Sequence, residues 1–163
     1  AFITSGGAWG SERDLMLKTV TAMGWRGIYH RVRMGPGKPV GFGSLDERPF
    51  FILPGGPPSN EMAFLQLALP AIMKMKGEPG FTFPVVQAHL TETVRGHKDW
   101  TQFIHARLEK EKHQLIVKPA KLKSRLASMA RKDALIIIPE GWEEWIAGEI
   151  IEIQLLNADF NYR

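Results

Sequence analysis

The chain changes its hydrophobic period at Gly77-Glu78-Pro79-Gly80. Before this breaker, short apolar strand-like runs alternate with helical patterns. After it, nearly every apolar run alternates with period two. This predicts two domains, residues 1–77 and 78–163. The first has the βα order of a doubly wound α/β fold, and the second has the many short strands of a small all-β barrel.

In the first half, Phe2-Ile3-Thr4 predicts a strand ended by the turn Ser5-Gly6-Gly7. Ser11-Glu12-Arg13-Asp14 has the form of a capping box, with Ser11 at the N-cap, Asp14 three residues on, and Leu15, Val20 and Met23 facing inward. Ile28 to Met34 and Phe50 to Leu53 predict further strands, and Asn60 to Lys76 a long helix. Phe64, Leu65, Ala68, Ile72 and Met75 would face inward on that helix, and Pro70 would kink it. The first strand has nothing before it, and a parallel central strand needs neighbours on both sides. The chain therefore reads as a piece cut from a longer protein at Ala1, incomplete as a doubly wound sheet and inactive when isolated.

In the second half, strands are expected over Gln87 to Val94, Thr101 to Leu108, Gln114 to Val117, Ala134 to Ile138 and Glu149 to Ile153, with a helical turn between Lys121 and Lys132. Trp142 and Trp145 flank two glutamates and read either as a lid over the barrel end or as a binding surface.

Composition removes several function classes. The chain has no cysteine, which excludes disulfides, thiolate metal sites, iron–sulfur clusters and cysteine nucleophiles. No apolar run approaches the roughly 18 residues of a membrane span. The net charge of +4 is spread along the chain, which suits an anionic small molecule and argues against nucleic acid. The five histidines show no metal-ligand spacing, and no serine sits in a nucleophile-elbow motif.

Three stiff loops carry the candidate chemistry. Gly6-Gly7 before a helix start can present backbone N–H groups to a phosphate. Gly35-Pro36-Gly37-Lys38-Pro39 fixes one lysine as a point charge for an oxyanion, unless it is only a surface turn. Pro54-Gly55-Gly56-Pro57-Pro58-Ser59 ends an apolar strand and begins a helix. Each loop follows a strand end, so all three are expected on one side of a parallel sheet. Asp14 is either a cap or a carboxylate facing the ligand.

As an ordered set, Ile3-Thr4-Ser5-Gly6-Gly7, Asp14, Met34 to Gly43 and Leu53 to Ser59 resemble the molybdopterin molybdenumtransferases, the MoeA and gephyrin-E family. Ala88-His89-Leu90, Phe103-Ile104-His105, Ser124, Ser128 to Arg131, Ile136 to Gly141 and Gly148-Glu149 resemble that family's C-terminal β domain. The resemblance implies a MogA-like molybdopterin-binding α/β domain followed by a small β domain. It implies a cytoplasmic, dimeric enzyme that uses magnesium to insert molybdate into adenylylated molybdopterin, releasing AMP. Contact with the molybdopterin adenylyltransferase, and a site completed across the dimer, are implied as well.

Carried over by position, Asp14, Lys38 and Ser59 would be catalytic, with Asp14 also holding the metal. Gly6, Gly7, Ser11, Pro54, Gly55, Pro57 and Ser124 would bind the pterin phosphate and its surroundings. The chain departs from the family at Trp9, Ser11, Gly35, Gly56 and His105, where Ser, Gly, Lys, Asn and Arg are usual. The loss of a lysine and an arginine weakens the oxyanion site. A divergent relative that binds molybdopterin without turnover, or serves as a scaffold, is the alternative.

Overall fold

The computed structural model describes residues 1–9, 14–78, 80–120 and 124–156. The chain divides into two compact units, Ala1–Phe81 and Thr82–Arg163.

In the first unit, β1 (Phe2–Ser5) is followed by α1 (Leu15–Ala22), β2 (Arg26–His30) and the two-residue β3 (Met34–Gly35). The hairpin β4 (Gly41–Leu45) and β5 (Arg48–Leu53) comes next. The sheet order is β1-β5-β4-β2. Only β1 and β5 are parallel, with Ser5 beside Leu53. β4 runs antiparallel to β5, and β2 antiparallel to β4. The expected parallel sheet is thus a mixed one. The reason is the two-residue turn Asp46-Glu47, with φ of 50° and 58°, which folds β5 straight back along β4. An Asp-Glu pair lacks the Asn-Gly or Asp-Gly signature of such turns, so this hairpin is hard to see in the sequence.

Both helical faces differ from expectation in part, with Val20, Phe64 and Ala68 inward as expected. On α1 the inward residues are Val20, Met16 and Leu17, while Leu15 and Met23 are exposed. Residues 16, 17 and 20 form the tighter i, i+1, i+4 stripe. The second helix is continuous through α2 (Pro57–Ala63), a π segment (Phe64–Ala68) and α3 (Leu69–Met75). Pro70 has no N–H to give the carbonyl of Gln66, and just before it the Leu69 N–H bonds the Phe64 carbonyl, five residues back. The wider turn rotates the helix phase. Leu67 and Ala71 therefore join Phe64 on the core of Val40, Phe51, Leu53, Ala63 and Ala68, whereas Met75 points outward.

The second unit is a closed five-stranded barrel. Its strands are β6 (Val85–Leu90), β8 (Thr101–Glu111), β9 (Gln114–Pro119), β10 (Ala134–Ile138) and β12 (Ile150–Leu155). They pair in the order β10-β12-β6-β9-β8, and β8 closes on β10 from Gln102↔Ile138 to Ala106↔Ala134. The alternating residues Leu90, Ala106, Leu108, Val117, Ile136, Ile138, Ile151 and Ile153 fill its interior. The expected strand through Val94 stops at Leu90, and Val94–Arg95 (β7) instead pairs with Glu144–Trp145 (β11). Trp145 packs against the core and donates its indole N–H to the Ile137 carbonyl at 2.9 Å, while its neighbour Trp142 is exposed. The expected helical turn is α4 (Arg125–Ala130).

Candidate functional site

Strand directions alone bring the loops of the first unit together. β1, β2 and β5 end, and β4 begins, at the same end of the sheet, because Ser5 lies beside Leu53, Ile52 beside Gly41, and Gly41 beside His30. The segments from Gly6, from Arg31 to Val40, and from Pro54 therefore all leave from that end. The expected grouping of three loops is met, on a mixed sheet.

The first and third loops are clasped. A side chain built on Gly55 would come within 3.3 Å of the Gly6 Cα, so the two backbones touch through their glycines. Asn60 fastens them: its Nδ2 donates to Ser5 Oγ at 2.9 Å and to the Pro54 carbonyl at 2.8 Å. From the sequence, Asn60 reads only as a helix start. A polar residue on the first turn, within reach of both strand ends, was the signal available.

Gly6 and Gly7 hold φ of 93° and 67°, in the left-handed region that favours glycine. Gly7 also leaves no room, since an added Cβ would sit 2.7 Å from the Met16 Cβ. The Gly6 N–H is bonded to the Leu53 carbonyl at 2.9 Å, so Gly6 supplies shape and not a ligand donor. At the helix start, Pro57 and Pro58 have no N–H, and Asn60 N–H bonds the Gly56 carbonyl at 2.8 Å. The backbone donors open to consideration are thus those of Gly7, Gly55, Gly56 and Ser59. Gly56 is the N-cap, without a side chain and with open space where one would be.

The second loop is held on both flanks. Arg31 N–H bonds the Val40 carbonyl at 2.8 Å, and Val32 N–H bonds the Lys38 carbonyl at 3.0 Å. Gly37 is buried, and a Cβ there would meet Met34 Cε at 2.9 Å and Ala63 N at 3.4 Å, so the loop lies against α2. Between these fixed points Lys38 is exposed. Arg31, Arg33 and Lys38 all lie in this one connection. Next to it, burial pushes the Tyr29 phenol above its ordinary value.

Asp14 is half-buried at the N-cap of α1 and makes no cap bond to the helix. It is not the third residue of a helix capped by Ser11, because the helix starts at Leu15; Ser11 itself lies outside the described residues. Among the described residues no group of three or more His, Cys, Asp or Glu could hold a metal ion. Ser124 and His105 belong to the second unit. Ser124 is exposed, caps α4 and accepts the Ala127 N–H, which accounts for a serine there without a ligand. His105 is half-buried on β8, opposite Leu135.

Residues 1–74 match the family described as "Probable molybdopterin binding domain", and residues 87–156 match the MoeA C-terminal region (domain IV). The molybdenum cofactor synthesis protein cinnamon of Drosophila melanogaster is 30% identical over 97% of this chain and 27% of its own length. Molybdopterin molybdenumtransferase 1 of Mycobacterium tuberculosis is 24% identical over 94% of this chain and 38% of its own. A crystal structure of a molybdopterin biosynthesis MoeA protein from Pyrococcus horikoshii superposes with a TM-score of 0.78 at 28% identity. That match covers 96% of this chain and 37% of that one. The chain thus spans between about a quarter and two fifths of the length of such relatives.

Proposed function

Since the chain belongs to the MoeA family of molybdopterin-binding proteins, we propose that its protein inserts molybdate into adenylylated molybdopterin and releases AMP. The observation that carries this reading is the Asn60 clasp, which sets the Gly6-Gly7 turn against Gly55 at the sheet end shared with the Lys38 loop.

A tight backbone approach suits a phosphate, because glycines let its oxygens come close to N–H groups. Gly7 and Gly55 would cradle the pterin phosphate, with Gly6, Pro54 and Pro57 fixing the loop shapes. Lys38 and Ser59 would face molybdate and the phosphates, Lys38 as a pre-positioned charge. Ser11 and Ser124 stay assigned to the pterin phosphate by the family resemblance alone. Gathering two anions at one place converts their encounter into a positioned reaction, and no covalent nucleophile on the protein is required.

Asp14 fits magnesium in one way only. A protein-built cage is absent among the described residues, but magnesium is commonly held by one carboxylate together with substrate phosphates. Bound in that way, it would offset pyrophosphate charge. A homodimer in the cytoplasm, and a hand-over of substrate from the adenylyltransferase, belong to the same proposal. No helix among the described residues is long and apolar enough to cross a membrane.

A second reading, binding without turnover, draws on Gly56, which leaves the helix start with no capping side chain beside the proposed site. The two are separated by molybdate-dependent AMP release, measured on the full-length protein with magnesium. Release that falls at least about tenfold in Lys38→Ala is expected for the transferase, since a charge acting at the reacting oxyanion contributes on that scale. Tight binding of the adenylylated substrate without release would instead favour the second reading.

A further inference from the structure

Trp9 has no part in the chemistry above, yet the structure fixes it in place. The residue is 55% exposed, while its neighbour Ala8 is buried at 2% in the core with Val20, Phe50 and Ile52. Two side chains from the end of β2 hold the backbone between them. His30 Nε2 bonds the Ala8 carbonyl at 2.6 Å, and Arg31 Nη2 donates to the Trp9 carbonyl at 2.7 Å. The Arg31 guanidinium also lies 5.7 Å from the centroid of the indole, within cation–π range. Arg31 itself holds a φ of 69° where the chain leaves β2, with its N–H bonded to the Val40 carbonyl at 2.8 Å.

Position gives the ring a use. Trp9 follows Gly7 by two residues, so at about 3.5 Å per residue its Cα lies within roughly 7 Å of the Gly7 Cα. A phosphate at the Gly7 turn would therefore leave the rest of its molecule within reach of the indole. The guanidinium lies over one face of the indole, and the opposite face suits a planar heterocycle, since base–aromatic stacking is strong and tolerant of ring type. We propose that Trp9 is a stacking platform for the fused heterocycle of a phosphorylated ligand, with Arg31 and His30 holding the platform beside the phosphate loop. This rests on the anion-binding reading of the Gly7 turn. The ring is either the pterin or the adenine of the adenylylated substrate.

Trp9→Ala leaves both backbone carbonyls that His30 and Arg31 grip, so the loop keeps its anchors. The test is calorimetric titration of the full-length protein and its Trp9→Ala and Trp9→Phe variants with inorganic phosphate, AMP and a pterin phosphate. At least one ring-bearing ligand is expected to bind Trp9→Ala about tenfold more weakly, with most affinity restored in Trp9→Phe and inorganic phosphate unaffected. Whichever of AMP and the pterin phosphate loses affinity identifies the ring. Equal affinity of wild type and Trp9→Ala for both ring ligands, with inorganic phosphate still bound, overturns the platform and leaves the anion site standing. Failure of the wild type to bind any of the three overturns both. Trp9-dependent binding that inorganic phosphate does not compete with keeps the platform and removes the phosphate from the Gly7 turn.

Discussion

The two units put similar apolar residues to opposite uses. In the second, β8 bonds to β10, and the alternating face of every barrel strand turns into one closed interior. In the first, the four described strands form an open sheet in the order β1-β5-β4-β2, and Ile28 on β2 is exposed. A closed sheet has no free edge and draws its stability from packing. In either kind of sheet the strand ends carry the loops. The candidate residues Gly7, Lys38, Gly55 and Asn60 all lie at such an end. The comparison teaches that the barrel turns its apolar strand faces inward, while the open sheet, which has buried cores of its own, leaves part of its apolar surface outside and carries the candidate residues at one end.

The largest test of that division is paired truncation. Ile136 in the barrel has no exposure, and Ile136→Ala is expected to lose about 2–5 kcal/mol in urea unfolding. Ile28 is 71% exposed, and Ile28→Ala should stay within about 0.5 kcal/mol. Similar losses at both positions would break the comparison.

Next in size is Gly7→Ala, which adds a Cβ 2.7 Å from the Met16 Cβ at a positive φ. A loss of about 1–3 kcal/mol is expected, with weaker phosphate binding by calorimetry. Retained stability and binding would mean that the turn adapts and is not a fixed cradle.

Asn60→Ala removes both clasp bonds and should cost about 1–2 kcal/mol. Asn60→Asp keeps the size but cannot donate when ionised, so at neutral pH it should lose as much. A stable Asn60→Asp would show that packing, not hydrogen bonding, joins the loops. The smallest expected change is a gain. Gly56→Asn puts a capping side chain into open space at the start of α2 and should add a few tenths of a kcal/mol. A shift in thermal midpoint measures it, and a loss would show that the loop cannot receive the side chain.

Much of the barrel was legible because a buried strand face imposes a period of two that local sequence displays. The strand Ala134–Ile138 is an example. The helices were less legible. Leu15 and Met23 look as apolar as Met16 and Val20, and only packing on Phe50 and Ile52 decides which of them turn inward. On the second helix, the π segment before Pro70 moves the inward face by rotating the helix, and no local pattern announces it. In the candidate site, Gly6, Gly7, Lys38 and Gly55 were visible because turns demand glycine and proline. Asn60, His30 and Arg31 were not, since their partners lie 6 to 55 residues away along the chain.

By itself the sequence determined the two fold classes, the break between periods, the family resemblance and the three loops, because period and turn chemistry are local properties. Tertiary structure alone decided that β4 and β2 run against β5, that Gly6 gives its N–H to Leu53, and that Asn60 ties Ser5 to Pro54. It also decided that Arg31 reaches Trp9. Those outcomes depend on which strand ends meet in space, and strand direction is set by pairing between segments that no local pattern links.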